Sequence, residues 1–122
     1  MELKGTSKLM RIFIGELDKI GGNLLYKEIV KAARQSGIAG ATVTRGVLSY
    51  GSSSVEHKMN ILALSADLPL IIEIVDDGSK IDEFIPVVNQ LFEKADCGGL
   101  ITMENVEIIK HQTVNKVKQK VN

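Results

Sequence analysis

The chain has 122 residues, of which 44% are hydrophobic, so we expect one compact domain with a single core. Fifteen basic residues balance fifteen acidic ones, which argues against a general attraction to nucleic acid or to an anionic membrane. Aromatic residues make up only 4% of the chain and Trp is absent, so a base-stacking surface is not expected.

The chain carries no predicted targeting or membrane segment. Its first residues are charged and lack the long apolar stretch of a signal peptide. No apolar run approaches the roughly 20 residues that a membrane-spanning helix needs. The single cysteine also excludes an internal disulfide and a cysteine-built metal site. The expected location is therefore the cytoplasm.

The first strong pattern is a strand from Leu9 to Ile14. Its even-numbered residues are all apolar and share one face, whereas the other face carries Arg11. Apolar residues then recur at helical spacing, which predicts a helix. Asn23 is the predicted cap of this helix, and Gly37 stands where a left-handed residue would end it.

The stretch from Gly37 to Gly51 is the main functional candidate in the chain. A Thr- and Val-rich strand is predicted from about Ala41 to Tyr50, followed by a loop rich in glycine and serine. Four glycines in this span are more than a strand favours, because each weakens the ladder and removes a side chain from packing. Such glycines allow the backbone to come close to a neighbouring element or to a ligand.

The middle of the chain contains one further predicted strand, which follows a stretch whose pattern is ambiguous. Residues His57 to Ala66 suit a strand that is apolar on both faces, and Leu70 to Val75 form a buried strand interrupted only by Glu73. A carboxylate that faces a core needs a partner, and Arg11 or Arg45 could supply one. The strand from Leu70 to Val75 is apolar on both faces, so the face of the sheet that the helices leave open is expected to be covered by self-association.

The last third of the sequence predicts a helix and a final strand. Ser79 and Asp82 resemble a capping box, and a clean apolar stripe continues to Ala95 with Pro86 inside it. The glycines after Cys97 close the helix, and Val106 to Ile109 form the last strand. The order strand, helix, strand, strand, helix, strand describes a ferredoxin-like βαββαβ sandwich of the α/β (α+β) class. Such a sandwich has a four-stranded antiparallel sheet with both helices on one face.

No catalytic constellation is apparent in the residues. His57 and Cys97 lie far apart in sequence, and no acid or serine is spaced to complete a triad. The glycines match neither a dinucleotide fingerprint nor a P-loop, and Asp76-Asp77 beside a glycine indicates a turn more than a metal site. A binding module is favoured. The alternatives are a small enzyme that uses His57 or Cys97, or a purely structural subunit of a complex.

Two stretches of the sequence carry a family resemblance. The first is Gly37-Ile38-Ala39-Gly40-Ala41-Thr42-Val43 with its glycine-rich exit at Tyr50-Gly51. The second runs from Leu68-Pro69 through Glu73-Ile74-Val75 to Lys80-Ile81-Asp82-Glu83. With these stretches the chain resembles the PII-like signal-transduction proteins, and it is most similar to a short-loop branch of that family whose function is unassigned. The resemblance extends from about Leu9 to His111, so residues 1–122 are interpreted as a single PII-like domain with a tail over residues 112–122.

The resemblance implies a homotrimer that binds adenine nucleotides in clefts between subunits. A flexible loop after the second strand would relay the ligand state to a regulated partner, a membrane transporter or an enzyme, and no nucleic acid would be involved. The residues themselves predict no catalytic site and no metal site. The nucleotide-binding positions that the resemblance implies are Gly40, Thr42, Val43, Tyr50, Gly51, Ile74, Val75, Gly98, Gly99 and Lys110.

The chain departs from the PII pattern where phosphates would bind. Leu100 replaces a lysine after the phosphate-contacting glycines, and the closing strand offers only Lys110 and His111 in place of paired arginines. The loop from about Ser52 to Lys58 is also short. With few cations, the site is expected to take AMP or ADP in preference to ATP. The resemblance therefore implies a regulatory module that binds a nucleotide without turning it over.

Overall fold

A computed structural model describes residues 2–3, 5–50 and 68–114 of the chain. The elements in chain order are β1 (Gly5–Gly15), β2 (Lys19–Ile20), β3 (Asn23–Leu24), α1 (Leu25–Gln35), β4 (Thr42–Arg45), β5 (Pro69–Asp76), α2 (Gly78–Ala95) and β6 (Leu100–Ile108). Four strands form one sheet in the order β4-β5-β1-β6, and all of its pairs are antiparallel. This is the predicted ferredoxin-like sandwich.

The core lies between the sheet and the two helices. On β1 the even-numbered residues Met10, Ile12 and Ile14 are buried, as the alternation predicted. They pack in one cluster with apolar residues of β5 and of both helices: Leu25, Ile29, Ala33, Leu70, Ile72, Ile74, Ile81, Phe84 and Val88. Both helices therefore cover the same face of the sheet. The opposite face has no element over it within the described residues.

Strand β4 is shorter than predicted. It ends at Arg45, whereas the sequence indicated a strand that continued to Tyr50. The amide of Gly46 donates to the carbonyl of Pro69 at 2.7 Å, but proline has no N–H with which to return a bond. A side chain at Gly46 would also lie only 2.9 Å from Cγ of Pro69. The ladder therefore stops where Pro69 begins β5.

Both predicted N-terminal helix caps were wrong. The N-cap of α1 is Leu24, and Asn23 instead belongs to a two-residue strand in the small β2–β3 ribbon. The N-cap of α2 is Asp77, so Ser79 lies inside the helix and no side chain caps its start. Asp82 is used differently, because it binds Lys8 of β1 at 2.9 Å. At the other end of α1, Gly37 has the predicted left-handed conformation, with φ of 76°.

Strands β1 and β6 are longer than predicted. β1 begins at Gly5 and β6 at Leu100, and they pair from Gly5↔Ile108 to Phe13↔Leu100. The sequence indicated only Val106 to Ile109 for the last strand, because most residues of β6 are polar or exposed. β6 lies at the edge of the sheet, where backbone pairing rather than apolar alternation defines a strand.

Three other predictions fall on residues that the structure does not describe. The strand from His57 to Ala66 and the loop from Ser52 to Lys58 lie between the described ranges. Most of the tail, from residue 115 onward, also lies outside them, and residues 112–114 form neither helix nor strand. The interpretation of residues 1–122 as a single domain stays a prediction.

Arg11 occupies the centre of the uncovered face. Its Nε atom lies 2.9 Å from Oε2 of Glu73 on β5, and its Nη1 atom donates to Glu104 on β6. The two carboxylates raise the pKa of the Arg11 guanidinium. Glu73 lies on the uncovered face and not in the core, but one of its two predicted partners, Arg11, does bind it. Arg45 binds Glu16 instead.

A buried carboxylate fixes the segment that precedes β4. Asp76, the last residue of β5, is only 2% exposed. Its Oδ2 accepts the amide of Ala39 at 2.8 Å, and its Oδ1 accepts the amide of Asp77 at 2.7 Å. The residue that the sequence assigned to a turn thus ties the Gly37–Ala41 segment to the sheet.

Replacing Asp76 with Ala should lower the free energy of unfolding by about 2–3 kcal/mol, because two amides would lose a charged acceptor in a buried place. Urea unfolding followed by circular dichroism measures the change. Asp82→Ala is the matched control, since it removes an exposed ion pair worth about 1 kcal/mol or less. Equal losses in the two variants would show that Asp76 does not hold this segment.

Candidate functional site

A cavity of about 490 Å³ opens on the uncovered side of the sheet, where the segment before β4 meets the end of β6. Its size lies within the range of small-molecule sites. Residues from both termini of the described chain and from three strands line it: Leu3, Ala39, Gly40, Ala41, Thr42, Glu73, Val75, Ile108, Lys110 and His111. We call this space the main cavity.

Gly40 is the residue of the main cavity whose identity the described fold does not explain. A Cβ added there would meet no atom within 4 Å, and its φ lies outside the left-handed region. Neither packing nor backbone conformation within the described residues therefore requires a glycine at this position. Glycine instead leaves the backbone accessible to something in the cavity.

The polar groups of the main cavity differ in how they are held. Glu73 is already bound to Arg11, whereas Thr42 and Lys110 are exposed. Thr42 can offer a hydroxyl as donor or acceptor, and Lys110 brings a positive charge. The rest of the lining is largely apolar. This combination fits a ligand with an apolar or aromatic body and one anionic group.

His111 and the N-terminal segment form one wall of the main cavity. The amide of Leu3 donates to Nδ1 of His111 at 2.8 Å, and the amide of Thr113 donates to Glu2 at 3.2 Å. Because Nδ1 acts as an acceptor, the neutral imidazole carries its proton on Nε2. The two ends of the described chain are thereby held together beside Lys110.

The structure brings together four of the residues that the resemblance implied. Gly40, Thr42, Val75 and Lys110 all line the main cavity. Ala39, Glu73 and His111 line it as well, but were not among the predicted positions. The sequence identified Glu73 only as an ion-pair partner. Glu73 lies two residues before Val75 on the same face of the strand, and this spacing could have indicated that it lines the site as well.

Other predicted positions lie away from the main cavity. Ile74 is 0% exposed in the core, so its side chain cannot meet a ligand there. Val43 lines a different groove beside α1. Tyr50 is 99% exposed and lies beyond the end of β4, and Gly51 falls outside the described residues.

Gly98 and Gly99 lie at the far end of the sheet within one chain. The two glycines precede β6, whereas Lys110 follows it. The nine residues of β6 place the glycines about 30 Å from Lys110. A Cβ at Gly99 would approach Phe92 to 2.5 Å and the carbonyl of Phe13 to 3.0 Å, so packing alone requires this glycine. Gly98, Gly99 and Lys110 can share one ligand only if two subunits contribute.

Cys97 is poorly suited to act as a nucleophile. Burial raises the pKa of its thiol to about 11, and the charge and hydrogen bond of Asp18 add to the increase. The reactive form of cysteine is the thiolate, which is scarce at neutral pH when the pKa is this high. His57, the other candidate of the enzyme hypothesis, lies outside the described residues.

The described residues offer no cluster of three or more His, Cys, Asp or Glu side chains that could hold a metal ion. Neither α1 nor α2 is long and apolar enough to cross a membrane.

The sequence matches the model of the family DUF190, described as Uncharacterized ACR, COG1993, over residues 7–108. The chain belongs to the DUF190 family. Among similar proteins, a UPF0166 protein of Aquifex aeolicus (strain VF5) is 36% identical over 102 residues, which cover 84% of this chain and 92% of that protein. The UPF0166 protein MJ1524 of Methanocaldococcus jannaschii is 37% identical over 107 residues, which cover 88% of this chain and 95% of that protein.

Solved structures confirm the PII-like fold of this DUF190 protein. CPII from Thiomonas intermedia K12, in a structure bound to ADP, AMP and acetate, superposes with a TM-score of 0.56 at 13% identity, covering 87% of this chain and 91% of CPII. A protein of Thermus thermophilus that is described as PII-like gives a TM-score of 0.52 at 20% identity, covering 89% and 94%. At these identities the likeness concerns the fold.

The Cys97 thiol should titrate near pH 11 in the folded protein, compared with about 9 after unfolding. The fold favours the neutral thiol, so this contribution to stability is complete below pH 9 and is lost as the pH rises toward 11. Thiolate absorbance at 240 nm measures the midpoint. Asp18→Asn should lower it, whereas Asp82→Asn should not change it. A folded-state midpoint near 9 would contradict the assignment and return Cys97 to the candidate nucleophiles.

Proposed function

We propose that this DUF190 protein is a PII-like regulatory protein that binds an adenine nucleotide in the main cavity without turning it over. AMP or ADP would bind in preference to ATP. The observation that carries the proposal is Gly40, which leaves open space above an ordinary backbone beside Thr42 and Lys110. The PII-like structure of CPII, which contains ADP and AMP, supports this choice of ligand.

The charges of the main cavity favour a short phosphate chain. Lys110 is the one lysine of its described lining, and His111 adds a neutral donor at Nε2 beside it. Glu73 contributes a negative charge that Arg11 neutralises from outside the cavity. Within the main cavity itself, one cation and one neutral donor balance the charge of a monophosphate better than the larger charge of a triphosphate.

We further propose that the protein assembles as a homotrimer and signals the nucleotide state to a partner protein, a membrane transporter or an enzyme. The uncovered sheet face supports the assembly, because it carries half-buried apolar residues such as Leu9, Phe13 and Ile71 around the Arg11 cluster. The separation of Gly98 and Gly99 from Lys110 supports it too, since neighbouring copies could place them beside the same ligand.

Light scattering at micromolar concentration should give a mass three times the 13.3 kDa of one chain. Association is expected because burying the uncovered face removes apolar surface from water. The mass of a single chain under these conditions would reject the trimer.

Nucleotide binding should disappear when Gly40 is replaced by Val. A Cβ at this position meets no atom of the described residues within 4 Å, so the fold should persist while the valine side chain fills the ligand's space. Gly22→Val is the matched control, because a Cβ at Gly22 is equally unopposed but lies in the β2–β3 turn. Calorimetry with AMP, ADP and ATP measures binding. Thermal unfolding with and without AMP should show a stabilisation of about 2.7 kcal/mol at a hundredfold excess over Kd in the wild type and in the control only.

Two outcomes would overturn this proposal. If the wild type binds none of the three nucleotides, the main cavity serves another ligand. If Gly40→Val keeps the full stabilisation by AMP, the nucleotide binds elsewhere on the chain.

A further inference from the structure

A second cavity adjoins the main cavity at the segment from Ala39 to Ala41. It has a volume of about 350 Å³ and is lined by Val30, Ala33, Arg34, Ile38, Ala39, Gly40 and Ala41. The three residues Ala39, Gly40 and Ala41 therefore line both spaces. β4 is an edge strand of the described sheet. A ligand could therefore pass over the outer side of this segment from one cavity to the other.

A groove between α1 and β4 continues from the second cavity. It has a volume of about 380 Å³ and shares Val30 and Arg34 with that cavity. Tyr26 and Val43 supply further apolar surface, and both are partly buried. We call this space the α1 groove. Its lining combines one aromatic ring and two valines with cationic side chains.

The cations of the α1 groove form one stripe. Lys27, Lys31 and Arg34 lie at positions i, i+4 and i+7 of α1, so they share one helix face. All three are exposed, and all three line the groove. The salt bridges of the described residues use Lys8, Arg11 and Arg45, and none uses these three. Their positive charges are thus available to an anionic ligand.

Gly40 connects the two ends of this surface. On one side lie Thr42 and Lys110, and on the other lies Arg34. Because Gly40 has no side chain, no atom of the described residues blocks the space above the backbone between Lys110 and Arg34. A Cβ added at Gly40 would have no neighbour within 4 Å. A chain of phosphates could cross the backbone here with a cation on each side.

We propose that the ligand of this site is a dinucleotide, that is, two nucleosides joined through phosphates. This inference rests on the proposed nucleotide site and extends it. One nucleoside occupies the main cavity, the bridging phosphates cross Gly40 between Lys110 and Arg34, and the second half enters the α1 groove. There Tyr26, Val30 and Val43 contact its ring, while Lys27 and Lys31 neutralise phosphate charge.

The apolar floor of the α1 groove favours a dinucleotide over a nucleoside triphosphate. Additional phosphates of ATP would reach the cations but would leave Tyr26, Val30 and Val43 without a partner. An aromatic base can stack on tyrosine and cover apolar surface, which an extended phosphate chain cannot do. The groove therefore has the lining that a second nucleoside requires.

Calorimetry with AMP and with diadenosine triphosphate tests the proposal on the assembled wild-type protein. Diadenosine triphosphate should bind at least about tenfold more tightly than AMP, because one added charge-assisted hydrogen bond is enough for a tenfold gain. The double variant Lys31→Ala with Arg34→Ala should lose that advantage and bind AMP as the wild type does. Both residues are exposed, so the thermal midpoint should change little. Lys94→Ala, an exposed cation at the end of α2, is the control for net charge.

Tyr26→Leu provides a second, independent variant. It keeps an apolar side chain but removes the stacking ring, so binding of diadenosine triphosphate should weaken while AMP binding stays constant. If AMP binds and diadenosine triphosphate binds no more tightly, the dinucleotide inference is wrong and the nucleotide site stands. The inference is also wrong if the double variant weakens both ligands equally. If neither ligand binds the wild type, the proposed nucleotide site itself fails.

Discussion

The pairing of β1 with β5 on one side and β6 on the other is the constraint on which the structure depends. It places Met10, Ile12 and Ile14 under the helices and leaves the odd-numbered residues of β1 on the uncovered face. The same pairing puts the end of β6 beside the start of β1. The main cavity exists because this corner of the sheet meets the segment before β4.

Two charged contacts adapt this scaffold to a site. Asp76 is almost fully buried and holds the amide of Ala39, so the backbone that leads into Gly40 is fixed from the core side. Arg11 neutralises Glu73 from the centre of the uncovered face. Glu73 is therefore a link between the cavity and the surface on which self-association is proposed. An open cavity and an uncovered face are two consequences of the same architecture.

Much of the fold could be predicted from the sequence, because the strongest patterns belong to buried elements. The alternation in β1 and the apolar stripe of α2 each reflect one buried face, and both were correct. The polar edge strand β6 has little such pattern, and its extent follows from pairing with β1. The predicted caps at Asn23 and Ser79 were wrong for a similar reason. The capping preference of one side chain is a local signal, whereas the start of each helix is set by the point at which the chain leaves the preceding strand.

The site was predictable only in part, because its residues come together through topology. The resemblance indicated Gly40, Thr42, Val75 and Lys110, which are 70 residues apart in sequence at their extremes but line one cavity. The resemblance did not distinguish the two faces of β5. It therefore gave Ile74 as a nucleotide-binding position, although the side chain of Ile74 points into the core. The basic stripe on α1 has the pattern of an ordinary solvated helix face. Only its position over the edge strand makes it part of a groove.

Mapping AMP onto the backbone by ¹H–¹⁵N NMR of the assembled protein tests the proposed nucleotide site most directly. A nucleotide in the main cavity should cause saturable shifts centred on Gly40, Thr42, Lys110 and His111, with smaller changes near Arg34. The amides of the buried core strands should change little. Saturable shifts that leave Gly40, Thr42 and Lys110 unperturbed would show that the main cavity is not the nucleotide site.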